Sequence, residues 1–173
     1  KDFVRTFFAA MNFYSIEKSM EIAKESGQTF EGFELSEYAN GNYFTRYTEI
    51  DYRPLSDKVK ALFEGMPIPS PDDWKALQVE VQKHGLYHAY RLAVAPTQSI
   101  SYIQNSTSSV MPIVEPIETR TYANSTTYYP MPFMARDNFF YYKSAYQMDQ
   151  FKILDLISEI QTHVDQGIST ILH

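Results

Sequence analysis

Apolar and polar positions along the chain fall into a few clear patterns. In residues 2–26, Phe3, Phe7, Ala10, Met11, Tyr14 and Met20 recur at helical spacing and lie near one face. Gly27 is a stop signal. The apolar content of this helix is high enough that it is expected to be covered on more than one side. Residues 29–54 are less regular. Gly32, a turn at Asn40-Gly41 and the aromatics Phe30, Phe33, Tyr38, Tyr43, Phe44, Tyr47 and Tyr52 predict a structured loop region with one short helix, pinned by its rings. A second helix is expected at 56–63, capped by Ser56 with Asp57 in its first turn and ended by Gly65. Pro67, Pro69 and Pro71 stiffen the connector, and Ser70-Pro71-Asp72-Asp73 starts a third helix that runs to His84 and stops at Gly85.

After Gly85 the period changes. Residues 87–95 read as a strand ended by Pro96, and 112–122 contain a second extended stretch around Ile113, Val114, Ile117 and Thr119. Residues 128–133, with two prolines, read as an irregular loop. The strongest helical pattern is 149–164: Asp149 as cap, then Phe151, Ile153, Leu154, Leu156, Ile157, Ile160 and Val164 on a buried side. Gly167 closes it, and 168–172 read as a strand. Alternating helices and strands define an α/β class. Two or three strands are visible, where a complete sheet has about five or six. The chain is therefore expected to be incomplete as a fold or to borrow strands. Its start at Lys1 rather than Met, and its end inside a strand, suggest a piece of something longer.

Composition narrows the chemistry. The 173 residues carry a net charge of -6 and suit one domain, or one large piece of a bigger one. Aromatics make up 16%, which predicts a ring-rich interior. There is no cysteine, so disulfides, cysteine-ligated zinc, iron–sulfur clusters and thiol catalysis are excluded within these residues. The acidic balance argues against a general nucleic-acid binder. No apolar run approaches the roughly 20 residues of a membrane span, and the first residues are not a signal peptide, so a cytoplasmic protein is expected. Without that signal, the sequons Asn105-Ser106-Thr107 and Asn124-Ser125-Thr126 are read as chance.

The most suggestive segment for function is Ala95-Pro96-Thr97-Gln98-Ser99-Ile100-Ser101. It follows an expected strand and precedes an expected helical turn at 102–104. Such a turn points unpaired backbone N–H groups at one spot, where the helix dipole adds positive partial charge, and phosphate binds there without Lys or Arg. Hydroxyls of Thr97, Ser99 and Ser101 are further donors. Ser and Thr are also ordinary helix caps, and most such turns bind nothing. The polar tract 104–109 lines the same site or forms a solvated loop. His84 and His88 are separated by a helix end and do not suit a shared metal. His163, beside Asp165 near a helix C-terminus where the dipole favours a cation, suits a structural role. Phe139-Phe140-Tyr141-Tyr142 fits core or interface better than stacking or radical transfer.

Several long runs resemble the large subunit of class Ib ribonucleotide reductase. They are Gly85-Leu86-Tyr87-His88-Ala89-Tyr90-Arg91-Leu92-Ala93-Val94-Ala95-Pro96-Thr97-Gln98-Ser99-Ile100-Ser101, Asn105-Ser106-Thr107-Ser108-Ser109-Val110-Met111-Pro112-Ile113, Tyr129-Pro130-Met131-Pro132-Phe133, and Ile160-Gln161-Thr162-His163-Val164-Asp165-Gln166-Gly167-Ile168-Ser169-Thr170. Met11-Asn12-Phe13-Tyr14-Ser15-Ile16-Glu17 and Tyr38-Ala39-Asn40-Gly41 match as well, so the resemblance covers essentially the whole chain.

The resemblance implies a ten-stranded α/β barrel, incomplete here, of which residues 1–173 are a carboxy-terminal segment. It implies reduction of ribonucleoside diphosphates to deoxyribonucleoside diphosphates, with Pro96, Thr97, Gln98, Ser99 and Ile100 holding the substrate diphosphate and Ser101 a weaker neighbour. The radical cysteine, its electron-donating pair, the proton-handling Asn and Glu and the nucleotide-sensing site are expected upstream. The relay cysteines and radical-transfer tyrosines are expected downstream. The chain alone is then inactive and binds no cofactor. The implied partners are a radical-generating small subunit with a dimetal tyrosyl cofactor, a flavodoxin-like activator, a glutaredoxin-like reductant and a second large subunit. Nucleic acid and membrane are not among them. A non-catalytic diphosphate-binding module, or a structural domain, is the alternative, and the incomplete sheet predicts aggregation in isolation.

Overall fold

The computed structural model describes residues 1–97, 100–121 and 123–173; Gln98, Ser99 and Tyr122 lie outside the described residues except as members of the elements whose bounds include them. The chain divides into two compact units. One comprises Lys1–Ala93 and Glu159–Gln166, the other Val94–Ser158 and Gly167–His173.

The first unit is built on helix α1 (Asp2–Ser26), ended as expected by Gly27 in the left-handed region, φ 67°, with its N–H donated to Ala23 O. The buried face differs from the expected one. Ala9, Phe13, Ile16, Met20 and Ala23 are buried, whereas Phe3, Phe7, Met11 and Tyr14 are each about 40% exposed. The reason is polar. Thr6, Asn12 and Ser19 share the buried face, and each is satisfied by a hydrogen bond that hydropathy does not reveal. Thr6 Oγ1 donates to Tyr52 O, Asn12 Nδ2 to the hydroxyls of Tyr43 and Tyr47, and Ser19 Oγ accepts from His88 N.

Residues 29–54 form more short helices than the one expected: α2 (Glu37–Asn40), capped by Ser36, and α3 (Thr45–Glu49), joined by single turns. Their rings build the core against α5 (Pro71–His84). Tyr47 stacks on Trp74 with centroids 4.0 Å apart, and Phe44, Leu77 and Val81 fill in around them. Helix α4 (Asp57–Leu62) is capped by Ser56, which accepts from Val59 N. The Ser70–Asp73 capping box and Pro71 start α5 as the sequence requires.

Residues 87–95 are not a strand. A strand needs a ladder, and here the backbone groups find other partners. Tyr87 N donates to Ser19 O, Arg91 N and Leu92 N donate to the Asp165 carboxylate, and Leu92 O accepts from Asp165 N. Residues 168–172 also form no strand.

The second unit holds α6 (Gln98–Ile103) and the hairpin of β1 (Ile117–Tyr122) and β2 (Ser125–Pro130). They pair antiparallel, with Ile117 opposite Pro130 and Tyr122 opposite Ser125. The extended stretch expected at 112–122 is thus real only in its second half, and part of the expected irregular loop at 128–133 is strand. Pro130 is tolerated because it ends the ladder. Helix α7 (Gln150–Gln161) belongs to this unit through Ser158, with Asp149 Oδ1 accepting from Phe151 N as its cap. Ile153, Ile157 and Ile160 are buried at helical spacing, but Phe151 is 83% exposed. Among the described residues the hairpin is the only sheet, so the α/β class holds with an incomplete sheet.

Candidate functional site

Of the residues expected to hold a diphosphate, Pro96 lines a groove of about 1020 Å³ in the second unit. Pro96 lies on its wall with Ser106, Thr107 and Ser108, so the structure brings the loop and the polar tract together. Asn105 and Ser109 make this possible by taking positive φ, 49° and 56°. Helix α6 begins at Gln98, earlier than the turn expected at 102–104. Thr97 is its N-cap residue but makes no side-chain cap; its hydroxyl oxygen instead accepts from Ser109 N at 3.3 Å and ties the tract to the loop. Ile100 is 57% exposed, and its N–H donates to Thr97 O. Ser101 is buried, its carbonyl accepts from Ser106 N, and it too lines the groove. Gln98 and Ser99, the centre of the expected site, lie outside the described residues.

Across the groove stands a cluster the sequence reading did not single out. Strand alternation puts Glu118 and Arg120 on one face of β1. Arg120 Nε donates to Glu118 Oε1 at 2.9 Å, and the Tyr102 hydroxyl donates to Glu118 Oε2 at 2.7 Å. Arg120 also donates to the Tyr102 hydroxyl and lies 4.0 Å over that ring. The guanidinium is thus neutralised by Glu118. An anion in this groove would rely on backbone N–H groups and hydroxyls, the chemistry read from the loop sequence.

The first unit concentrates its polar groups differently. Arg91, with its side chain 3% exposed, donates to Asp165 Oδ1 at 2.9 Å and to the Tyr38 hydroxyl at 2.7 Å. Nothing local in the sequence marks this pair, 74 residues apart. His163 is 1% exposed, with Nδ1 3.0 Å from the Tyr47 hydroxyl and Nε2 3.6 Å from Glu159 Oε1. Burial, helped by the positive Arg46 and Arg5, lowers its pKa to about 4. His163 is therefore structural, but as a buried neutral ring and not as the dipole-stabilised cation expected. Its neighbour Asp165 pairs with Arg91. His84 and His88 face different partners, Glu80 and Ser19. Phe139, Phe140 and Tyr141 are all more than half exposed, so they are not core within the second unit. No group of three or more His, Asp or Glu able to hold a metal occurs among the described residues, and no helix is long and apolar enough to cross a membrane.

Comparison with known proteins places the chain. It matches the family described as "Ribonucleotide reductase, barrel domain" over residues 1–173. It is 59% identical to the ribonucleoside-diphosphate reductase subunit alpha of Bacillus subtilis strain 168 over 98% of its own length and 24% of that protein's. It is 57% identical to the ribonucleoside-diphosphate reductase NrdEB subunit alpha of the same strain, covering 98% of the chain and 16% of that protein. Identity to the subunit alpha of Mycoplasma pneumoniae is 36%, over 99% of the chain and 24% of that protein. The chain belongs to the ribonucleotide reductase barrel-domain family, and it spans about a quarter or less of the length of these curated relatives.

Proposed function

We propose that these residues are a carboxy-terminal segment of the catalytic barrel of a class Ib ribonucleotide reductase large subunit, and that Pro96, Thr97, Gln98, Ser99 and Ile100 hold the diphosphate of a ribonucleoside diphosphate. The observation that carries the reading is the family match along the whole chain. The loop fits it: it opens, at Pro96, on a groove with hydroxyl-bearing walls and an arginine already neutralised. Here the substrate is positioned and not transformed. With no cysteine in these 173 residues, the radical and the electrons come from elsewhere in the complete cytoplasmic enzyme. The partners in this reading are a small subunit with a dimetal tyrosyl radical, a flavodoxin-like activator, a glutaredoxin-like reductant and a second large subunit.

Replacing Ser99 with proline tests the loop by removing one N–H. In the full-length protein, Ser99→Pro is expected to weaken ribonucleoside diphosphate binding roughly tenfold to a hundredfold, the worth of one hydrogen bond to a charged group at about 1.5–3 kcal/mol. Calorimetric titration reads this directly, and unchanged affinity removes the loop from the site.

A further inference from the structure

One arrangement in the first unit has no part in substrate binding. Tyr47 and Trp74 are stacked with ring planes 13° apart, and both are almost wholly buried. The Tyr47 hydroxyl accepts from Asn12 Nδ2 at 2.9 Å, so its own proton is left to donate. Of its two acceptors, His163 Nδ1 at 3.0 Å is nearer than Thr162 O at 3.3 Å. On the far side of the imidazole, Nε2 faces the Glu159 carboxylate. With the phenol donating to Nδ1, the ring proton sits on Nε2, 3.6 Å from the Glu159 carboxylate and beyond hydrogen-bond distance of it.

Neither Tyr43 nor Tyr38 has an imidazole as its hydrogen-bond partner. The Tyr43 hydroxyl is paired with the Asn12 amide, at 2.8 and 3.2 Å, and an amide does not take up a proton at neutral pH. The Tyr38 hydroxyl accepts from Arg91 and faces Asp165 at 3.5 Å, a carboxylate that already accepts three N–H bonds. Yet the rings are in contact. Tyr38 lies 4.2 Å from Tyr43, and Tyr43 5.9 Å from Tyr47, so a series of aromatics leads from half-buried to buried positions. An oxidising equivalent entering this series settles where the proton has somewhere to go.

We propose that Tyr47 is a redox-active tyrosine whose hydrogen-bonded partner His163 takes its proton. A one-electron oxidant, a thiyl or tyrosyl radical, removes one electron from the phenol and is itself reduced to the thiolate or tyrosinate. The O–H bond breaks, the proton moves to Nδ1, and a neutral tyrosyl radical is left beside an imidazolium. Glu159 stabilises that imidazolium. The pair is a sink for oxidising equivalents that stray from a radical reaction. That role rests on the proposed function only for the source of the oxidant, since the chemistry of the pair is testable without substrate.

The test is flash oxidation of the full-length protein carrying difluorotyrosine at position 47, with a ruthenium polypyridyl photo-oxidant and electron paramagnetic resonance on frozen samples. The long-lived radical is expected to show fluorine hyperfine splitting and to form more slowly in heavy water. His163→Gln keeps an oxygen acceptor for the phenol but cannot take its proton. It is expected to slow radical formation about a hundredfold, the scale of losing a positioned base. A tyrosyl signal without fluorine splitting overturns the proposal, as does an unchanged rate in His163→Gln. If His163→Gln does not fold, the difluorotyrosine measurement still decides. Loss of the diphosphate loop assignment through Ser99→Pro leaves both results untouched.

Discussion

The two units of this chain solve the burial problem in opposite ways. The first packs Phe13, Ile16, Phe44, Tyr47, Trp74, Leu77 and Val81 into a core and gives buried Thr6, Asn12 and Arg91 Nη2 hydrogen-bond partners, while Arg91 Nε and Nη1 and His163 Nε2 are buried without one among the described residues. In the second, Ala145, Ile153 and Ile157 are the buried apolar side chains among the described residues, while Phe133, Phe139, Phe140, Tyr141, Tyr146 and Phe151 stand exposed. A unit that buries so little has weak internal reason to hold its shape, since the hydrophobic term scales with area removed from water. The first unit has a core of its own, although Leu35, Leu55 and Tyr90 stand exposed on it; the second has little, and the groove lined by Pro96 belongs to it.

Breaking the first unit should be costly. Asp165→Ala leaves the buried Arg91 guanidinium without its carboxylate and frees two backbone N–H groups, so a loss of about 3–5 kcal/mol is expected. Chemical denaturation measures it, and a loss under about 1 kcal/mol, typical of a surface pair, would mean that the pair is not buried in the working protein.

A smaller effect follows from His163. Its pKa in the fold, about 4, lies below the ordinary 6.5, so the unfolded chain takes up the proton first as the pH falls. Its contribution is whole above pH 6.5 and is lost between 6.5 and 4, about 3 kcal/mol in all. The stabilities of the wild type and of His163→Gln, followed across that window, should change relative to each other by this amount. Parallel curves would show that the imidazole is solvated.

The smallest effect belongs to the second unit. Phe151→Ala removes a ring that is 83% exposed and should change stability by no more than about 0.5 kcal/mol. A loss of several kcal/mol in the full-length protein would sharpen the contrast in another way, by showing that the ring is covered there.

What the sequence made legible follows from how local each rule is. The caps at Ser56, Ser70 and Asp149 and the stop at Gly27 are set by neighbours within a turn, and all lie where expected. Strand assignments failed because a strand is defined by its partner. Residues 87–95 have a strand-like composition, but Asp165 and Ser19 take up backbone groups that a ladder would use. The hairpin was half missed because its turn lacks the Gly that marks tight connections. In the candidate site, a turn leading into a helix was expected, and α6 does follow Pro96, beginning at Gln98. The wall formed by Glu118 and Arg120 was not expected, because only the fold brings Tyr102 onto them.

Gly85 closes α5 with φ 79°, and a Cβ added there would collide with Thr29 Cγ2. These are two independent locks. Shortening Thr29 to serine would clear the space, yet any side chain at position 85 would still face the backbone penalty of the left-handed half of conformational space. No single second change repairs both, so a lineage that loses this glycine has no one-step path back except reversion. Position 85 is thus a ratchet point in the drift of this sequence.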